Sequence, residues 1–356
     1  MMKTRITEML SIKYPIIQAP MAGGITTTDL VTAACNAGTL GMIGAGYLSP
    51  EQLQRQIHEI KNQTSKPFGV NLFVPTPYSI DEERIQVANQ LLAPFREQLS
   101  VTETRFSPVD QNSVFEEQIH VLIEEEVKVC SFTFGLPSEV SVNILKGKGI
   151  VLVGTATNVK EAIACEKANM DMVVLQGSEA GGHRGTFDQN YHGSLIGLMS
   201  LIPQVSDHVQ IPLIAAGGIM DGRGLVASLS LGAEAVQMGT AFLTTLESGA
   251  HPLHKEAILE GKEDQTVITR AFSGKPARGF KNRFVEELET SEHVLPEFPI
   301  QNSLTQSIRK AAAQQKNAEY LSLWSGQSPT LAKAVSVQEL IQETVEQAEE
   351  ILMKKW

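Results

Sequence analysis

"IVLVGTATNVKEAIACEKANMDMVVLQGSE", residues 150–179, decides the fold. Two short apolar runs, 150–157 and 170–179, flank a helix-like segment, 158–169. Apolar runs of about four to eight residues, separated by helices, mark parallel strands covered by helices. The same alternation extends outward in both directions. Upstream lie "YPIIQAPM" (14–21), "LGMIGAG" (40–46), "FGVNLFVP" (68–75) and "VKVCSFTFG" (127–135), and downstream "IPLIAAGGI" (211–219) and "AVQMGTAFL" (235–243). With the opening pair these make eight strand candidates, and most are followed by helical segments such as 221–232.

Eight such units close into a (β/α)8 barrel. A doubly wound open sheet is the alternative. "GMIGAG" (41–46) matches the dinucleotide fingerprint poorly, with the wrong glycine order and no acidic residue at the expected distance. The barrel is therefore expected over residues 1–243, with an insertion, 76–126, after the third strand. Residues 244–356 are expected as a mainly helical C-terminal extension packed over the barrel mouth, ending in the amphipathic "SVQELIQETVEQAEEILMKKW".

Composition limits the partners. Hydrophobic residues make up 42% and charged residues 19%, a globular balance, and the net charge of −11 argues against nucleic-acid or anionic-membrane binding. The N-terminus lacks a secretory h-region, and no apolar run reaches the ~18 residues of a membrane span. Cys35, Cys130 and Cys165 lie far apart without metal-ligand spacing, and are expected as reduced, buried thiols of a cytoplasmic protein.

In a barrel of this kind the C-terminal strand ends face the reaction site, and the loops after strands seven and eight commonly hold a phosphate. Those ends read "AAGGI" and "QMGTAF". Gly217, Gly218 and Gly239 allow close approach of backbone N–H groups to an anion, and Thr240 offers a hydroxyl. A helix starting near Asp221 could add its dipole, although Asp221 itself opposes an anion placed too near. Plain turns are the other reading of these glycines. The remaining ends offer Gln18, Asn71, Thr155 and Gln176, amides and hydroxyls that suit a flat heterocycle better than a hard metal, and no metal is expected. The pattern points to an isoalloxazine ring across the barrel top, with its phosphate at strands seven and eight.

"QGSEAGGHRGTF" (176–187) places His183 on a loop that Gly181, Gly182 and Gly185 allow to fold over such a ring. An unperturbed imidazole titrates near pH ~6.5, so His183 can exchange a proton or donate a hydrogen bond. A structural loop cap is the other reading. Glu179 is expected to buttress the loop and Arg184 to pair with a carboxylate, while His251, His254 and the remaining histidines carry no comparable signal.

At these residues the chain resembles a known family. "QAPMAGG", "GTATNVKEAIACEKANMDMVVLQGSEAGGHRGTF", "IPLIAAGGIMDGRGLVASLSLGAEAVQMGTAF", "AFSGKPARGFKNRF" and "LWSGQSP" are similar to the nitronate monooxygenases, formerly 2-nitropropane dioxygenases, over nearly the whole chain. The resemblance implies a TIM barrel that binds FMN non-covalently, without metal. It also implies oxidation of an alkyl nitronate by O2 to a carbonyl compound and nitrite. Carried over by motif, Asn71, Gln176, Gly181, Gly218, Gln237, Met238, Gly239 and Thr240 contact FMN, Ala19 and Met21 lie beside the ring, and His183 is the active-site histidine. Gly182 and Gly217 complete the expected cofactor loops. FMN-dependent enoyl-acyl-carrier-protein reductases share the barrel and an "EAGGH" segment, and a flavin-binding barrel without turnover is a third possibility.

Overall fold

The computed structural model describes residues 2–102, 106, 108–188 and 191–354. The strands in chain order are β1 (Ile16–Gln18), β2 (Gly41–Gly44), β3 (Phe68–Phe73), β4 (Val129–Thr133), β5 (Val151–Ala156) and β6 (Met172–Gln176). They continue with a two-residue β7 (Gly182–His183), then β8 (Leu213–Ala216), β9 (Ala235–Met238), β10 (Thr266–Thr269) and β11 (Ala277–Phe280). Every one of the eight expected runs is a strand of one parallel sheet, ordered β1-β9-β8-β6-β5-β4-β3-β2. An isolated parallel bridge, Ile17 to Leu40, joins its two ends and closes the barrel, so the open-sheet alternative falls. At this thin seam the buried Gln18 accepts from the Met42 N–H at 3.0 Å and donates to the Ala19 carbonyl. Gln18 is thus a structural stitch, not the ring contact its strand-end position suggested.

Side chains alternate across each strand. Met42, Val129, Val153, Val174, Ile214 and Ala235 point inward and pack on Ile6 and Leu10, so the N-terminal helix Arg5–Met9 plugs the barrel floor. Their neighbours Ile43, Cys130, Leu152, Val173, Ala215 and Val236 point outward into the layer beneath the helices. Cys35 and Cys165 join that layer, and the three cysteines are buried and unpaired. Burial pushes the Cys35 thiol up to about 11.

The region expected as one insertion has two destinations. Helix Gln111–Glu124 buries Phe115, Ile119 and Leu122 in the barrel core, as a helix of the outer ring. Helix Glu82–Gln98 buries Ala88, Leu92 and Phe95 in a second core, together with Phe284, Ile308 and Tyr320 of the later chain. Tyr320 also donates to Gln98 Oε1 at 2.7 Å. The last segment divides in the same way. Residues of 244–336 cap the mouth, and they include β10 and β11, which the helical reading of this region did not anticipate. The final helix, Val337–Met353, leaves the mouth and buries Val337, Leu340, Ile341, Val345 and Ala348 in the barrel's outer layer. It lies against helix Gly222–Ser230, where Gln347 Oε1 accepts from the Gly222 N–H at 2.9 Å. Among the described residues no helix is long and apolar enough to cross a membrane.

Candidate active site

One layer above the packed interior, the inward positions change character. Asn71, Ser131, Thr155, Gln176 and Gln237 line the floor of a cavity of about 480 Å3 at the C-terminal end of the barrel. Asn71 donates its amide hydrogens to Ser131 Oγ (2.8 Å) and Thr133 Oγ1 (3.0 Å), which leaves its carbonyl oxygen as an acceptor. Gln176 donates to the His183 carbonyl at 3.0 Å and accepts from the Gly185 N–H at 2.7 Å. Its amide therefore clamps the two sides of the histidine loop.

Ala19 and Met21 from the β1 loop also line the cavity, as do Gly181, Gly182, Gly217, Gly218, Gly239 and Thr240. Of the residues that the family resemblance assigned to FMN, Met238 alone does not. Alternation along β9 turns it outward into the helix layer, where it is buried. A Cβ at Gly181 would stand 2.6 Å from the Gly326 nitrogen, so this glycine permits the "LWSGQSP" segment to cross the loop. Gly326 N–H in turn donates to Thr240 Oγ1 at 3.0 Å. The helix Gly222–Ser230 contributes no anion site, because Asp221 caps it by accepting from the Arg223 N–H at 2.9 Å. The short turn at Gly239–Thr240, by contrast, has no side-chain cap and lines the cavity.

His183 sits in β7, not in a free loop. β7 pairs antiparallel with β11, with His183 opposite Ala277. Its ring lies 5.9 Å from Phe134, 6.2 Å from Phe298 and 5.6 Å from Trp324, centroid to centroid, and Nε2 is 2.9 Å from Ser273 Oγ. Burial among these rings, with Lys275 and Arg309 nearby, pushes the His183 pKa down to about 3. The side chain is a neutral imidazole that faces the cavity across the physiological pH range.

Among the described residues Arg184 makes no carboxylate pair. Its fully buried guanidinium donates to the Gly177, Gln176 and Ser194 carbonyls at 2.7, 2.8 and 2.8 Å. It braces the turn after β6 through backbone carbonyls, which sequence spacing does not reveal. Glu179 buttresses the same turn by accepting from the Leu198 N–H at 2.9 Å. The buried Glu161 holds the far side of the loop, accepting from Thr186 Oγ1 (2.6 Å), Phe187 N (3.0 Å) and Asp188 N (3.2 Å).

Several cavity residues carried no sequence signal. His251 and His254 line the cavity, and His254 Nε2 lies 2.8 Å from the Trp324 carbonyl. Tyr47 and Arg309 also line it. Arg309 donates through Nη2 to Asn302 but has no partner for Nε among the described residues, so it presents a cation with no carboxylate partner. Ser273 and Trp324 lie in segments noticed for their likeness to a family, yet nothing in those segments says that both meet His183.

Barrel and cavity together define a (β/α)8 enzyme whose strand ends carry a cavity lined by glycines, His183 and Arg309, with Lys275 near the histidine. The chain belongs to the nitronate monooxygenase family, an oxidoreductase family whose model matches residues 3–347. A probable nitronate monooxygenase of Staphylococcus haemolyticus is 51% identical over 98% of each chain. One from Staphylococcus aureus (strain Newman) is 50% identical over 99% of each. Among solved structures, nitroalkane oxidase from Streptomyces ansochromogenes superposes with a TM-score of 0.90 at 37% identity, covering 97% of this chain and 98% of that one. FabK from Thermotoga maritima gives 0.79 at 32% identity, covering 99% and 98%.

Proposed function

We propose that this chain oxidises alkyl nitronates with O2 to a carbonyl compound and nitrite, using non-covalently bound FMN. The observation that carries the reading is the neutral His183 facing a cavity with Arg309 and Lys275 close by. Among the described residues neither cation has a carboxylate in hydrogen-bond contact, so both attract an anionic substrate, and the uncharged imidazole borders it without adding a charge of its own. The likeness to nitroalkane oxidase supports the same substrate chemistry.

The residues fit FMN. A Cβ at Gly239 would meet only Ala19, at 3.7 Å, so the turn opens onto free space where a phosphate can approach the backbone. Gly239, Thr240, Gly218 and Ser328 would hold that phosphate, and Asn71, Gln237, Ala19 and Met21 would border the ring. When bound, the flavin supplies the electron acceptor for the nitronate and the donor to O2. The protein's own contribution is orientation. Gln176 and Glu161 fix the loop, Arg309 would hold the nitro oxygens with Lys275 adding its charge from behind Phe134, His183 would take the proton of a neutral nitroalkane, and the second core lies over the mouth.

Gly218 offers a direct check. Its φ of +66° lies in the left-handed region, and a Cβ would come within 3.2 Å of Glu179 Cβ. Gly218→Val is expected to weaken FMN binding by at least tenfold, because a branched residue costs about 1–2 kcal/mol in this conformation and displaces the cradle. Flavin titration of apoprotein measures it, and unchanged affinity would move the phosphate elsewhere.

The function itself is tested by anaerobic mixing of the yellow protein with a nitronate, and separately with NADH and NADPH. Bleaching by nitronate, with FMN released on denaturation, is the expected result. Rapid bleaching by a nicotinamide alone would favour a reductase, and release of FAD would overturn the FMN assignment. Absence of bleaching by either reagent would leave a flavin-binding barrel without turnover.

A further inference from the structure

Ser273 makes three hydrogen-bond contacts through one hydroxyl. Its Oγ donates to the Lys275 carbonyl at 3.0 Å, accepts from the Lys275 N–H at 3.3 Å, and lies 2.9 Å from His183 Nε2. A serine has a single O–H proton. If that proton goes to Lys275 O, the contact with His183 requires a hydrogen on Nε2. The opposite arrangement, in which Ser273 donates to Nε2, removes the Lys275 carbonyl's donor. It also puts an N–H on Nδ1, which has no hydrogen-bond partner among the described residues. Nδ1 faces the cavity without a protein partner in both arrangements, so the difference is the Lys275 carbonyl, satisfied in the first and left without its donor in the second, at about 1–3 kcal/mol where it is buried.

We infer that Ser273 is a positioning residue that holds His183 in the Nε2–H tautomer, leaving Nδ1 as the lone-pair nitrogen offered to the cavity. The inference rests on the reading of His183 as the group that meets substrate, but it concerns a proton position that can be observed without turnover.

The anchor is itself rigid. Gln301 Nε2 donates to the Ala271 carbonyl at 2.7 Å, Thr305 Oγ1 donates to the Phe272 carbonyl at 2.5 Å, and Gly274 N–H donates to the Arg270 carbonyl at 2.8 Å. Ser273 is buried at 1% exposure, so water does not replace His183 as its partner. The charged groups near the ring are Lys275, whose Nζ stands 4.5 Å over Phe134, and Arg309 from the helix Gln306–Gln314. Both repel a second proton, so Nδ1 stays unprotonated and only the tautomer is left to fix. The hydroxyl decides it.

The test uses holoenzyme labelled with 15N in the histidine rings, with His183 assigned by difference from His183→Asn. The expected spectrum shows a protonated Nε2 and an unprotonated Nδ1 that do not titrate between pH 5 and 8. Ser273→Ala is expected to mix the two tautomers and to lower kcat on a neutral nitroalkane about tenfold with KM little changed, and Ser273→Thr to restore both. A protonated Nδ1 in the wild-type protein overturns the inference, and so does an unmixed spectrum in Ser273→Ala. If the tautomer is as stated and no nitronate is oxidised, the function reading fails and the tautomer assignment stands. If nitronate is oxidised with a protonated Nδ1, the reverse holds.

Discussion

His183→Asn is expected to retain the fold and the flavin while lowering turnover of a neutral nitroalkane by about 10²–10⁴, the usual cost of a lost general base. The loss on a preformed nitronate is expected to be smaller, because no proton need be removed. The environment sharpens this contrast. A pKa pushed down to about 3 keeps the imidazole deprotonated and available, yet makes it a weak base. Carbon-acid ionisation is then uphill, so the wild-type enzyme should prefer nitronate to nitroalkane before any substitution is made. The sign of the pH effect follows. The folded-state pKa lies below the unfolded ~6.5, so His183 remains neutral as pH falls from 8 to 5, and kcat/KM should show no limb from it in that window. Steady-state kinetics on both substrate forms, with flavin content and melting temperature as controls, measure all of this. Equal losses on the two substrates would make His183 a binding residue, and no loss on either would leave it as packing among Phe134, Phe298 and Trp324.

The strands were legible because a barrel strand is buried on both faces, so its apolar run is unbroken and its polar residues collect at the end. That is why "MVVLQ" announced both β6 and Gln176. Gln18 misled because its position looked the same. Only the reduced pairing between β1 and β2 gives it another task, and pairing cannot be read from one strand. The segments beyond the barrel were read less well for a related reason. An amphipathic helix shows that it has an apolar face but not which core receives it, so the helices Gln111–Glu124 and Glu82–Gln98 looked alike. The surroundings of His183 were the least legible part. Ser273, Phe298 and Trp324 lie 90 or more residues further along the chain and meet the ring only because β11 pairs with β7.

Arg184→Met is expected to cost about 3 kcal/mol of stability and to reduce flavin retention with it. Methionine fills much of the volume but leaves the Gln176 and Ser194 carbonyls without the guanidinium, at about 1–3 kcal/mol each where water cannot reach, while the Gly177 carbonyl keeps the Ala180 N–H. Part of that sum is returned, because burying the guanidinium is itself unfavourable. Burial, with Arg278 nearby, pulls its pKa down to about 10. The balance remains destabilising, since two acceptors are stranded, a third loses one of its two donors, and only one charge is relieved. Arg184→Lys should recover little, because a single ammonium cannot reproduce the planar fork that spans carbonyls on both sides of the loop. For a chain of this size the loss corresponds to a fall in melting temperature of roughly 4 °C. Flavin retention should fall with it, because the carbonyls that Arg184 gathers belong to the turn between Gln176 and the cavity glycines. Thermal unfolding of apo and holo protein, with flavin per chain measured alongside, tests both. A melting temperature within a degree of wild type would show that the turn holds its shape through Glu179 and Glu161 alone, and that Arg184 is not its brace.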